Sequence, residues 1–155
     1  MTGNNISSYI YICIYSNLHL AIIKAVLYNG HTDFDGGVIS ISGILREVNI
    51  KSDMPTANDA IKRITYNLRN AGAMGVSAIK IIHGYGASGK GGVIRTETRK
   101  YLERQKQQKY IKDFIPGEKF SIFDEATIKA FRQCDELRRD SDLERHNNGV
   151  TIVIL

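Results

Sequence analysis

The sequence predicts an α/β fold: a two-layer α/β sandwich in the order βαβαββ, a four-stranded mixed sheet with two main helices, plus a helical insertion before the last strand. Three observations carry this. Short β-branched runs at 44–51, 78–83 and 150–155 alternate with segments whose apolar residues recur at helical spacing. Five glycines crowd residues 84–92, between the second of those runs and the second helical pattern. The last run, Val150-Thr151-Ile152-Val153-Ile154-Leu155, is almost continuously apolar, the pattern of a central strand covered on both faces.

Residues 1–43 differ from the rest. Tyr9-Ile10-Tyr11-Ile12-Cys13-Ile14-Tyr15 is apolar and β-branched, but Asn17, His19 and Lys24 interrupt the apolar character beyond it. Basic flanks and a small-residue cleavage site are both lacking, so neither a membrane span nor a signal peptide is expected. Tyr28-Asn29-Gly30-His31-Thr32-Asp33-Phe34-Asp35-Gly36-Gly37 has turn chemistry and suits a linker. Residues 1–43 are therefore expected to be an N-terminal extension outside the fold, and 44–155 the domain.

Within 44–155 the first strand is expected over 44–51. Pro55 suits the first turn of the next helix, with Ser52 and Asp53 as capping candidates. Ala57, Ala60, Ile61, Ile64 and Leu68 give that helix its apolar stripe, and Gly72 and Gly75 end it. A strand follows over 78–83, then a helix from about Val93 striped by Val93, Ile94, Tyr101 and Leu102. A short strand at 111–115 is broken by Pro116-Gly117. The insertion, about 117–148, holds a helix over 124–134 and a charged stretch at 135–146 with room for a short helix.

A strand that stops at a glycine loop and feeds a helix builds an anion site, because glycine allows close backbone approach and helix-start amides point at the ligand. Gly84-Tyr85-Gly86-Ala87-Ser88-Gly89 matches the dinucleotide fingerprint in letters, and Asp113 stands at the right distance, but too little chain follows for the large parallel sheet that motif needs. A nucleotide P-loop is excluded because Gly91 occupies the place of the magnesium-binding hydroxyl. The third template is H-G-x-G, His83-Gly84-Tyr85-Gly86, closing an apolar strand and opening a basic helix.

That signature, together with the glycine-preceded terminal strand Gly149-Val150-Thr151-Ile152-Val153-Ile154-Leu155, resembles the small MutS-related (Smr) domain family. The resemblance spans about 45–155. It implies a fold like that of the C-terminal domain of bacterial translation initiation factor 3. It also implies a nucleic-acid partner, DNA or RNA, and an endonuclease (nicking) activity; a catalytically inactive nucleic-acid or ribosome binding module of the same fold is the alternative. The family's L-D-L-H-G at the end of the first strand is replaced here by Val48-Asn49-Ile50-Lys51-Ser52, so Asn49, Lys51 and Ser52 hold the acid, histidine and glycine positions.

Phosphodiester cleavage needs an activated nucleophile, charge stabilisation and a protonated leaving oxygen. His83 is the candidate acid or base; the competing role is a strand-end histidine that caps the loop by hydrogen bonding. Gly84, Gly86, Ser88 and Gly89 offer amides to a phosphate. Lys90 and Arg95 can neutralise developing charge, Arg99 and Lys100 can track the backbone, and Lys51 stands in the first motif. Arg145 or His146 can reach the loop in place of the missing histidine, or simply form a polar turn before Asn147-Asn148-Gly149.

Charge distribution supports a polyanion partner. The chain carries +5 overall, but residues 90–112 hold eight Lys/Arg against two Glu, while 113–155 hold six against nine Asp/Glu. The paired carboxylates Asp124-Glu125 and Asp135-Glu136 fall on the charged insertion and suit a solvated face. Cys13 and Cys134 lack metal or disulfide spacing, which fits a reducing, cytoplasmic setting, and no membrane partner is expected. No cofactor is expected; Asp53 and Asp113 are the carboxylates through which a divalent cation could assist.

Overall fold

A computed structural model of the chain describes residues 43–86 and 92–155. The expected 1–43 extension, apart from Gly43, lies outside the described residues. The order is β1 (Ile44–Asn49), α1 (Ala57–Ala71), β2 (Val76–Ile82), α2 (Val93–Gln107), β3 (Asp113–Pro116), α3 (Glu125–Phe131) and β4 (Val150–Ile154). The sheet runs β1-β2-β4-β3, with β1 parallel to β2 and β4 antiparallel to both β2 and β3. The mixed α/β sheet predicted from the sequence is therefore present, with β4 central and buried along its whole length.

The period-two alternation of β2 and β4 divides the core between two faces. Ile79, Ile81 and Val153 face α1 and α2, where Ile64, Leu102 and Ala60 pack on them. Ala78, Ile152 and Ile154 face the other way, onto Phe120, Ala130, Phe131, Cys134 and Leu137 of the insertion. The insertion thus adds a third layer to the expected pair. It explains why β4 has no polar face to give to solvent.

Lys80 is the polar member of the second face, only 3% exposed. Its ammonium lies 2.9 Å from Asp140 and 2.6 Å from Asp142, with Glu47 at 3.7 Å. This cluster ties the middle of β2 to the turn that leads back to β4. Burial alone would lower the Lys80 pKa, but the bonds to Asp142 and Asp140 outweigh it and raise it. Asp142 is likewise pushed up by burial and pulled below the usual carboxylate range by Asn147 and Lys80. Cys134 is buried, and its thiol donates to the Gly43 carbonyl at 3.1 Å.

Element ends differ from expectation for local reasons. The cap of α1 is Thr56, not Ser52 or Asp53: its hydroxyl oxygen accepts the Asp59 amide at 3.2 Å, and the Asp59 carboxylate accepts the Thr56 hydroxyl at 2.7 Å. Asp53 and Met54 have positive φ, so the chain is still turning there, and Pro55 precedes the cap. α1 stops at Ala71; a 3-10 turn, Gly72–Met74, follows and closes on Gly75 at φ 66°. β3 is an edge strand and ends on Pro116, where a missing N–H leaves no ladder bond unmade. In the insertion Asp124 caps α3 through the Thr127 amide, and the charged stretch contains a 3-10 turn, Asp135–Arg139. Among the described residues, no helix is long and apolar enough to cross a membrane.

Candidate nucleic-acid interface

The ends of β1 and β2, the approach to β4 and the first turns of α2 meet around His83-Gly84-Tyr85-Gly86. β2 ends when the amides of His83 and Gly84 both donate to the Gly149 carbonyl, at 3.0 and 2.9 Å. Gly84 and Gly86 then turn the chain with φ of 71° and 88°, a region that side-chain-bearing residues avoid. The Gly92 amide donates to the Tyr85 carbonyl at 2.7 Å and fixes the base of the loop. Gly149 lies against Gly84: a Cβ added to Gly149 would sit 3.4 Å from the Gly84 Cα. The two glycine motifs that mark this sequence are therefore one contact. Ser88, Gly89 and Lys90 lie outside the described residues.

His83 is buried in this junction. Its Nδ1 faces the Gly84 carbonyl at 2.9 Å and its Nε2 faces the Thr151 hydroxyl at 2.9 Å. A carbonyl can only accept, so Nδ1 carries the proton and Nε2 accepts from Thr151. Burial pushes the His83 pKa down; the Gly84 hydrogen bond opposes this, and the charges of Arg99 and Arg95 add to the lowering. The ring is thus neutral near pH 7, with both nitrogens engaged.

The basic candidates separate into two groups. Lys51, exposed at the end of β1, runs its stem past the turn: a Cβ on Gly84 would meet Lys51 Cδ at 3.2 Å. Its amide is held by the Asn49 side chain at 3.1 Å. Arg95 places its guanidinium over the Tyr85 ring, 5.1 Å from the centroid. Among the described residues neither cation is paired with a carboxylate.

Arg99 and Lys100, by contrast, are already engaged. Arg99 is bidentate on Glu118, at 2.7 and 2.5 Å. Partial burial pushes Glu118 up, but Arg99, with Arg95 behind it, holds its pKa below the ordinary value. Lys100 pairs with Glu97 at 2.9 Å and lines a groove of about 630 Å³ toward the β3 edge, with Arg104, Phe114 and Pro116. His146 donates from Nδ1 to the Glu118 carbonyl at 3.0 Å, which places it beside the Arg99–Glu118 pair. Arg145 is exposed in the same turn. The Nε atoms of Arg95 and Arg99 are buried without a partner among the described residues.

Glu118, Thr151 and Tyr85 were not marked as site residues by the sequence. Thr151 did leave a trace, as the single hydroxyl in an apolar strand. Glu118 left none, because its partner is distant in sequence and nothing in its immediate neighbourhood points to a phosphate site. Among the described residues, no three His, Cys, Asp or Glu side chains are gathered as a metal site.

The architecture defines a mixed α/β sandwich with a glycine turn flanked by cations at the end of its parallel strand pair. The Smr domain model matches residues 53–121. The match contains H-G-x-G and α2, and it begins after the altered first motif and stops inside the insertion. Among solved structures, the Smr domain of Thermus thermophilus MutS2 is similar at 24% identity, covering 71% of this chain and 96% of that one, with a TM-score of 0.43. No curated protein matches the chain.

Proposed function

We propose that residues 44–155 form a nucleic-acid-binding module, for DNA or RNA, which grips backbone phosphate at the Gly84-Tyr85-Gly86 turn. One observation carries the reading: Lys51 and Arg95, from separate elements, flank that turn, and among the described residues neither has a carboxylate partner. Phosphate contacts of this kind give affinity without sequence preference. The buried free thiol of Cys134 suits a cytoplasmic setting.

His83 serves this module as the post that holds the turn. To act as an endonuclease base it would have to release Thr151, and its depressed pKa disfavours the protonated acid form. The binding module is therefore preferred to the nicking enzyme. Labelled RNA and nicked, branched and linear DNA, with Mg²⁺ or Mn²⁺, are expected to be bound without His83-dependent cleavage. Cleavage that His83→Ala abolishes while binding survives would decide for the enzyme. For binding itself, replacing Lys51 and Arg95 together by Ala should shallow the dependence of log K on log salt by about two units. An unchanged slope would remove the phosphate reading.

A further inference from the structure

We infer that Tyr85 is a stacking platform for an unpaired base, so that the site prefers single-stranded or locally unpaired nucleic acid to intact duplex; this rests on the phosphate-binding reading above. Tyr85 is 40% exposed at the centre of a cationic turn. The glycines on either side carry no side chain to cover it. Its main chain is fixed on both flanks, by the Gly84 amide on Gly149 and by its own carbonyl on Gly92. A ring presented on a fixed backbone loses little freedom when it is stacked upon.

Arg95 supplies one face of the stack, with its guanidinium 5.1 Å from the ring centroid, within cation–π range. The same guanidinium is one of the two cations assigned to phosphate. A phosphate held by Arg95 and Lys51 would bring its own nucleotide to Tyr85. Val93, 71% exposed, opens α2 next to Gly92, whose amide meets the Tyr85 carbonyl. Paired bases within a duplex are stacked on each other and offer a protein only phosphates, sugars and groove edges. An unpaired base offers a free π-face, and stacking of this kind tolerates any base.

The full chain can be titrated with labelled oligo(dT) and oligo(U), and with covalently closed circular duplex as competitor. Tyr85→Ala should weaken single-strand binding roughly 5- to 150-fold and duplex binding less than about 2-fold. Tyr85→Phe should retain single-strand affinity. The chain has no tryptophan, so Tyr85→Trp introduces a unique fluorophore; its emission should be quenched by saturating oligo(dT) or oligo(U) and unchanged by saturating duplex. Equal loss for both nucleic acids in Tyr85→Ala, or emission from Tyr85→Trp that single strands leave unchanged at saturation, would overturn the stacking inference while leaving phosphate binding intact. Absence of wild-type binding to every probe would overturn both.

Discussion

His83 is held by two hydrogen bonds and by burial, and those two facts have a consequence in pH. The folded-state pKa is below the ordinary histidine value of 6.5, so the unfolded chain takes up this proton first as pH falls. Stability is full above about pH 6.5 and declines below it until the folded ring also protonates. Thermal melts at pH 7.5 and 5.5 should show a loss in the wild type that is smaller in His83→Gln. His83→Ala should cost about 2–4 kcal/mol, since it leaves a cavity and strips Thr151 and the Gly84 carbonyl of their partner. A His83→Ala protein as stable as wild type would show that the ring does not hold the turn. Glu118 makes a second residue-scale point. Its carboxylate occupies the guanidinium of Arg99 much as a phosphate would. Glu118→Gln should free that charge, tighten nucleic-acid binding and steepen the salt slope by about one unit. A slope equal to wild type would mean that Arg99 never meets the ligand.

At the scale of elements, periodicity revealed most of what the sequence had to offer. The stripes Ala57-Ala60-Ile61-Ile64-Leu68 and Val93-Ile94-Tyr101-Leu102 placed both main helices, although Val93 at the start of α2 is 71% exposed and not part of the core, and the apolar run at 150–155 placed a central strand. Boundaries slipped where a cap decides them: Thr56 works because Asp59 stands three residues on, a pairing hidden behind the more conspicuous Ser52-Asp53-Pro55. The glycine turn was legible because positive φ at Gly84 and Gly86 leaves a compositional mark. The partners of the site were not, since Thr151 reaches His83 across 68 residues and Asp140 reaches Lys80 across 60. The Lys80 cluster also locates the attachment of the insertion. Lys80→Met should cost about 3–5 kcal/mol, because it removes the ammonium that pairs with the largely buried Asp140 and Asp142 carboxylates. Urea denaturation would read the loss, and hydrogen exchange should show it first in residues 120–149. Because the Lys80 pKa is raised, its contribution is full below about pH 10.5 and is lost as pH rises beyond that. Because the Asp142 pKa is lowered, its contribution is full above about pH 3.8 and is lost on further acidification.

For the molecule as a whole, composition separated a basic half from an acidic one, but only the fold shows how they are arranged. α2 packs on one face of the sheet and the insertion on the other, so the sheet divides the charge. A polyanion approaching such a particle is turned toward the α2 side before any contact is made. The central position of β4 has a different consequence, one that concerns how the protein is made. Of the four described strands, β4 is synthesised last, yet among the described residues β3 pairs with nothing else and β2 needs it to cover one edge. As the chain leaves the ribosome, β1, α1, β2 and α2 can dock as a half-sheet, while β3 waits without a ladder and the second face stays bare. Non-local pairing of this kind is slow, and it leaves an open edge and exposed isoleucines for as long as β4 is missing. Over that interval, chaperone capture and aggregation compete with the arrival of five residues.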